Sequence, residues 1–190
     1  MAGQSGLIFS KIHDRRSRGT EEAIFAVFAH DGTSLSTKIF IKRAGISSST
    51  FYRHHKSIGG LLYDYEHLIM EQFLKFVSEL RDKSVVDVKQ VIYRMLVFIM
   101  VNKDIIEVVA DRDNYHIIYS MVKTLRGKVV LAGCVVRDAN RIFDIYACEV
   151  CGVIKNWHEG GYSERVLPKV ESDIVYLTLT INDRLGKLAD

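Results

Sequence analysis

Apolar residues recur every three or four positions along most of the chain, which is the period of an amphipathic helix. The first such stripe is Ile24, Phe25, Val27 and Phe28. It follows Thr20, a capping residue, and the acids Glu21 and Glu22, which suit the positive end of a helix. A first helix is predicted from Thr20 to the Asp31-Gly32 stop. Ser36 then caps a short second helix, 37–44, closed by Gly45, and Ser47 caps a third over 48–55. A long fourth helix after Ser57 carries Leu61, Leu62, Tyr65, Ile69, Phe73, Phe76, Val77 and Leu80. Beyond a loop at Asp82-Lys83-Ser84, strongly apolar residues predict a helix over 87–101 and a short one over 104–110. Asp113 caps another to about Leu125. The β-branched run 129–136 has no second strand to pair with, so it is read as buried helix. A long amphipathic helix over 138–158 ends at Gly160-Gly161, and a last helix opens at Pro168 and runs to about Leu188. The pattern predicts an all-α chain of about nine helices.

Composition agrees. Pro168 is the one proline in 190 residues, where about 5% of positions would be usual. Proline is excluded from helix interiors, so its scarcity suits a helical chain. A hydrophobic fraction of 48% excludes a disordered chain, and three cysteines exclude a disulfide scaffold. No apolar run approaches the ~18–20 residues that cross a bilayer. The expectation is a cytoplasmic protein with reduced thiols and no membrane partner.

Charge is unevenly spread. Residues 1–60 hold nine lysines and arginines against four acids, and the remainder holds 17 against 19. Between Asp31 and Asp64 there is no acid, while Lys38, Lys42, Arg43, Arg53, Lys56 and two histidines lie in that gap. A field of one sign attracts a polyanion, and nucleic acid is the commonest.

Two short helices joined by a glycine turn inside a basic segment describe a helix-turn-helix. Phe40, Ala44, Ile46 and Phe51 face inward, and Gly45 makes the turn. The third helix is then the one that enters the major groove, with Ser48, Ser49, Thr50, Arg53 and His54 facing outward. Arg53 suits guanine or phosphate, and Tyr52 and Lys56 suit phosphate. Ser36, Thr37, Lys38 and Ser47 complete the candidate double-stranded DNA surface. Residues 1–65 form the predicted DNA-binding head and 66–190 the body.

The stretch from Ala44 through Gly45, Ile46, Ser47, Thr50, Phe51, Tyr52, Arg53 and His54 to Ser57 resembles the TetR/AcrR family of bacterial transcription regulators. That family typically reads AGVS-x-x-T-F-Y-x-H-F-x-x-K-x-x-L-L here. Ser36, Leu61-Leu62, the chain length and the Trp157-His158-Glu159-Gly160-Gly161 pattern are similar too. Four features depart from the pattern: Ile41 replaces an alanine, His55 an aromatic, Ile58 a lysine, and Gly59-Gly60 stand where helix formers are usual. Two glycines in a first helical turn cost about 1 kcal/mol each. The resemblance implies a homodimeric repressor on a palindromic operator, with a body that binds a small effector.

Candidate effector contacts are Tyr93, Tyr115, Tyr119, Arg141 and Tyr146, amphipathic residues on the later helices. Candidate dimer contacts are Ile142, Val150, Ile154 and Trp157 packed against Ile174, Leu177, Ile181 and Leu185 as a four-helix seam. Cys148 and Cys151 form a CxxC inside a helix, read as packing residues, with a thiol switch as the alternative. A helical interaction protein with weakened DNA binding is a further alternative, motivated by Ile41, Ile58, Gly59 and Gly60. No nucleophile–base set, phosphate loop or dinucleotide motif is present, so no enzyme, metal or cofactor is expected.

Overall fold

The computed structural model describes residues 15–79, 87–126 and 139–187, and capping residues and glycines divide these described residues into nine α-helices. They are α1 (Arg15–Asp31), α2 (Thr37–Ala44), α3 (Ser48–His54), α4 (Leu61–Glu79), α5 (Val88–Val101), α6 (Lys103–Asp113), α7 (His116–Thr124), α8 (Ala139–Glu159) and α9 (Leu167–Lys187). A 3₁₀ turn, Glu164–Val166, precedes α9. No strand occurs among the described residues, and none of their helices is long and apolar enough to cross a membrane. The run 129–136, Leu80 and the 82–84 loop lie outside the described residues.

Two predicted boundaries move. α1 starts at Arg15, not Thr20, because Arg15-Arg16-Ser17-Arg18 contains no breaker and Gly19 is tolerated inside a helix. α4 starts at Leu61, so Gly59 and Gly60 lie in the turn before it, where the glycine penalty for a helical turn does not apply. The Gly60 N–H donates to Ser57 Oγ at 3.1 Å, and the Leu61 N–H to the Ile58 carbonyl at 3.1 Å. Asp113 is the last residue of α6 and Tyr115 holds the N-cap position of α7, but Asp113 Oδ2 reaches forward to accept from the Ile117 N–H at 2.7 Å.

The helices pack around one continuous set of buried side chains running from Ile24 to Leu185. At one end α1, α2 and α3 close on α4 around Phe28, Phe40, Phe51 and Tyr65, all buried. Ile41 and Ile58 are buried there as well, so both fill core rather than crowd it or face a ligand. α4 packs on α6 and α7, and α9 packs on α5 and α8. Arg112 of α6 pins the end of α1. It donates to the Phe28 carbonyl at 3.0 Å and the Ala29 carbonyl at 3.2 Å, and its guanidinium lies over the Phe28 ring. Gly32 leaves room for it: a Cβ there, at φ +61°, would meet Arg112 Nη1 at 2.5 Å.

Phe51 is fully buried with its ring 5.8 Å from Phe40. Phe51→Ala is expected to destabilise the fold by about 3–5 kcal/mol in urea unfolding, as for other buried aromatics. A loss below about 1 kcal/mol would contradict this packing.

Candidate nucleic-acid interface

The turn between α2 and α3 is set by backbone chemistry. Gly45 adopts φ +66°, the left-handed region that glycine enters at least cost, and its N–H closes back on the Lys42 carbonyl. The Ile46 N–H donates to the Ile41 carbonyl at 3.3 Å. Ser47 then caps α3, its Oγ accepting from the Thr50 N–H at 3.0 Å. The same oxygen shares hydrogen bonds with Ser49 Oγ at 2.9 Å and Thr50 Oγ1 at 2.8 Å. The hydroxyls at the start of α3 therefore form one ordered cluster.

Ser36, Lys38, Ser47, Ser48, Ser49, Tyr52, Arg53 and Lys56 are exposed, and Thr37 and Thr50 half-exposed. The Tyr52 side chain is 57% exposed, its ring set edge-on to Phe51 at 5.4 Å. Arg43 Nη1 donates to both carboxylate oxygens of Asp31, at 2.6 and 2.7 Å, and that guanidinium holds the Asp31 carboxyl below its usual range. It is therefore engaged within the fold. Lys38, Lys42, Arg53 and Lys56 make no ion pair among the described residues, so the outward face of α2 and α3 keeps its positive charge.

His54 does not join that face. Phe51, His54 and His55 are spaced i, i+3 and i+4, so the two imidazoles follow Phe51 inward. His54 Nδ1 lies 2.6 Å from Glu21 Oε1, and His55 is hydrogen-bonded to Glu21 Oε2 at 3.0 Å and Asp64 Oδ2 at 2.8 Å. The segment that lacks acids in sequence is thus supplied with two by α1 and α4. Among the described residues no three His, Cys, Asp or Glu side chains are placed to hold a metal ion.

The body places the remaining candidates apart. Tyr93 lines a groove of about 370 Å³ between α4 and α5, with Lys75, Phe76, Arg94, Phe98 and Asn102. Phe76 and Phe98 stack there at 5.8 Å. Asn102 is buried; its Nδ2 donates to the Phe98 carbonyl, and its Oδ1 accepts no hydrogen bond. Tyr115 bonds His158 elsewhere, on α6–α8 ground. The Tyr119 hydroxyl donates to Asp144 at 3.0 Å, and Arg141 sits on an open surface beside Ile145. Tyr146 is buried, its hydroxyl satisfied by Thr178 at 2.8 Å. The five do not form one pocket.

Most residues expected at a dimer seam pack within one chain. Val150, Ile154, Trp157, Ile174, Ile181 and Leu185 are buried within one chain, and Ile142 and Leu177 half-buried, because α8 and α9 pack antiparallel on each other and on α7 and α5. The apolar residues those two helices present outward are Ile145, Tyr176 and Leu179, at 51%, 70% and 58% exposure. An apolar stripe cannot by itself distinguish a partner helix in the same chain from one in another.

Cys151 packs as predicted, and burial pushes its thiol up to about 12, with Cys148 and Asp113 adding to the rise. Cys148 is exposed.

Comparison with family models, with curated proteins and with solved structures finds no match for the chain.

Ser47→Ala removes the cap and is expected to cost about 1 kcal/mol of stability in denaturant unfolding. An unchanged midpoint would mean the hydroxyl cluster is idle. Maleimide labelling of the native protein at pH 8, located by mass spectrometry, should modify Cys148 and spare Cys151, because only thiolate reacts. Equal labelling of the two would overturn the burial of Cys151.

Proposed function

We propose that this chain is a sequence-specific DNA-binding transcription regulator, an effector-responsive repressor that acts as a homodimer on a palindromic operator in the cytoplasm. The observation that carries the reading is the outward face of α2 and α3, where Lys38, Tyr52, Arg53 and Lys56 stand exposed on a helix pair fixed to a rigid core. The sequence resemblance to TetR/AcrR regulators in this segment points the same way.

In this reading the N-terminal end of α3 enters the major groove. Its ordered serine and threonine hydroxyls approach base edges, and Arg53 takes guanine. Tyr52, Lys38, Lys56 and the Ser36–Thr37 start of α2 hold phosphates, which fix register without reading sequence. Two copies joined through the outward faces of α8 and α9, including Ile145, Tyr176 and Leu179, present two α3 helices to half-sites about 34–36 Å apart. The groove beside Tyr93 abuts α4, the helix that also carries Asp64 and Tyr65 at the head. An effector bound there acts on DNA affinity only through its differential affinity for two arrangements of α4.

Six to ten phosphates engaged by a dimer give a slope of log K against log salt of about −5 to −9. Arg53→Ala should cost about 1–3 kcal/mol and relax selectivity at one base pair, and Lys56→Ala should flatten the slope without changing selectivity. Fluorescence anisotropy on selected duplexes between 50 and 200 mM salt reads both. Affinity independent of salt, or variants indistinguishable from the parent chain, would refute the reading.

A further inference from the structure

His55 is 7% exposed and hydrogen-bonded at both ring nitrogens, Nδ1 to Asp64 Oδ2 and Nε2 to Glu21 Oε2. An ionised carboxylate only accepts, and a neutral imidazole carries a single N–H. Two carboxylate acceptors on one ring therefore require both nitrogens to donate. We infer that α3 is held in reading position by a proton-dependent clamp, in which His55 as imidazolium ties the end of α3 to Glu21 of α1 and Asp64 of α4, so that DNA affinity falls as the medium becomes alkaline. The part concerning DNA rests on the role proposed above for α3; the clamp itself rests on the geometry.

The surroundings of the ring agree. Glu21 also bonds His54 Nδ1, so one buried carboxylate serves both imidazoles of the α3 end. From α4 come Asp64 and Tyr65, whose ring lies 6.0 Å from His55, and the same depression is lined by His67 and Glu71. From α3 itself come His54 and the apolar ring of Phe51. Burial alone would lower the pKa of His55, but the bonds to Glu21 and Asp64 outweigh it and hold the imidazole above its ordinary range. Burial would likewise raise Glu21, yet the hydrogen bonds and charge of His55 and His54 hold it below the carboxylate range. Burial, reinforced by Glu21 and Asp64, keeps the Tyr65 phenol neutral.

The sign follows. A histidine whose folded pKa is raised contributes stability that is complete below the unfolded value, about 6.5, and is lost as pH rises through the folded value above it. Deprotonation leaves one carboxylate facing a lone pair. Since Glu21 is largely buried and Asp64 is 40% exposed, the cheaper bond to lose is the one to Asp64, which water can replace. The end of α3 then comes free of α4, next to Arg53 and Lys56.

The test uses the full chain and three readouts. Imidazole ¹⁵N spectra should show His55 doubly protonated at pH 6, with a midpoint above 6.5. Amide exchange, corrected for intrinsic rate, should show protection over 48–54 falling about tenfold from pH 6.0 to 8.5, while α8 is unchanged. DNA affinity should fall about tenfold over the same step, and His55→Phe, which keeps an aromatic in the site, should flatten both dependences. A midpoint at or below 6.5, α3 protection independent of pH, or a dependence that survives in His55→Phe overturns the clamp. If α3 protection follows His55 but no duplex binds at any pH, the clamp stands and the DNA-binding reading fails.

Discussion

Phe28, Phe40, Phe51 and Tyr65 meet where the first four helices converge, and the rest of the molecule is arranged by that contact. Their rings bury the inner faces of α2 and α3, which are too short to persist alone. Phe28 at the other side receives the guanidinium of Arg112, so the same aromatic group that closes the head also fastens it to the body. Tyr65 lies on the long α4, whose buried stripe continues through Ile69 and Phe73 into the body. Any displacement of α4 is thereby felt by α3, and any loosening of α3 leaves Tyr65 and His55 without their partners.

The polar groups follow from this apolar arrangement. Once Phe51 points inward, helical geometry forces His54 and His55 to the same side, and two imidazoles in a low-dielectric site need acceptors. Glu21 and Asp64 supply them from the two helices that flank the aromatic group. Consuming those acids inward is what leaves the outward face with cations alone. The uneven charge along the sequence and the inward-turned carboxylates are therefore two sides of one partition.

Much of the fold was legible because local signals were strong. Ser47, Gly45 and Gly161 capped or closed helices where their chemistry predicts, and the 3–4 spacing located each apolar face. The exposed residues of α2 and α3 were legible for the same reason, since two short helices leave few alternatives for what faces out. What was not legible is long-range. Glu21 lies 33 residues before His54, so the sequence of α3 reads as acid-free although its interior is not. The spacing of Phe51 to His54 was a usable sign that His54 turns inward, but it is weaker than a motif. The stripes on α8 and α9 were legible as packing against each other, but not that they do so within one chain, and the scattered tyrosines of the body gave no hint of which one borders a groove.

The central claim is that α3 reads duplex DNA, and the most direct measurement is selection of binding sites by the intact protein from random-sequence duplexes. The account predicts enrichment of an inverted repeat whose half-sites lie about one helical turn apart, lost when Tyr52 and Arg53 are both replaced by alanine. Recovery of the input pool without enrichment, or the same enrichment from the doubly substituted protein, would contradict it.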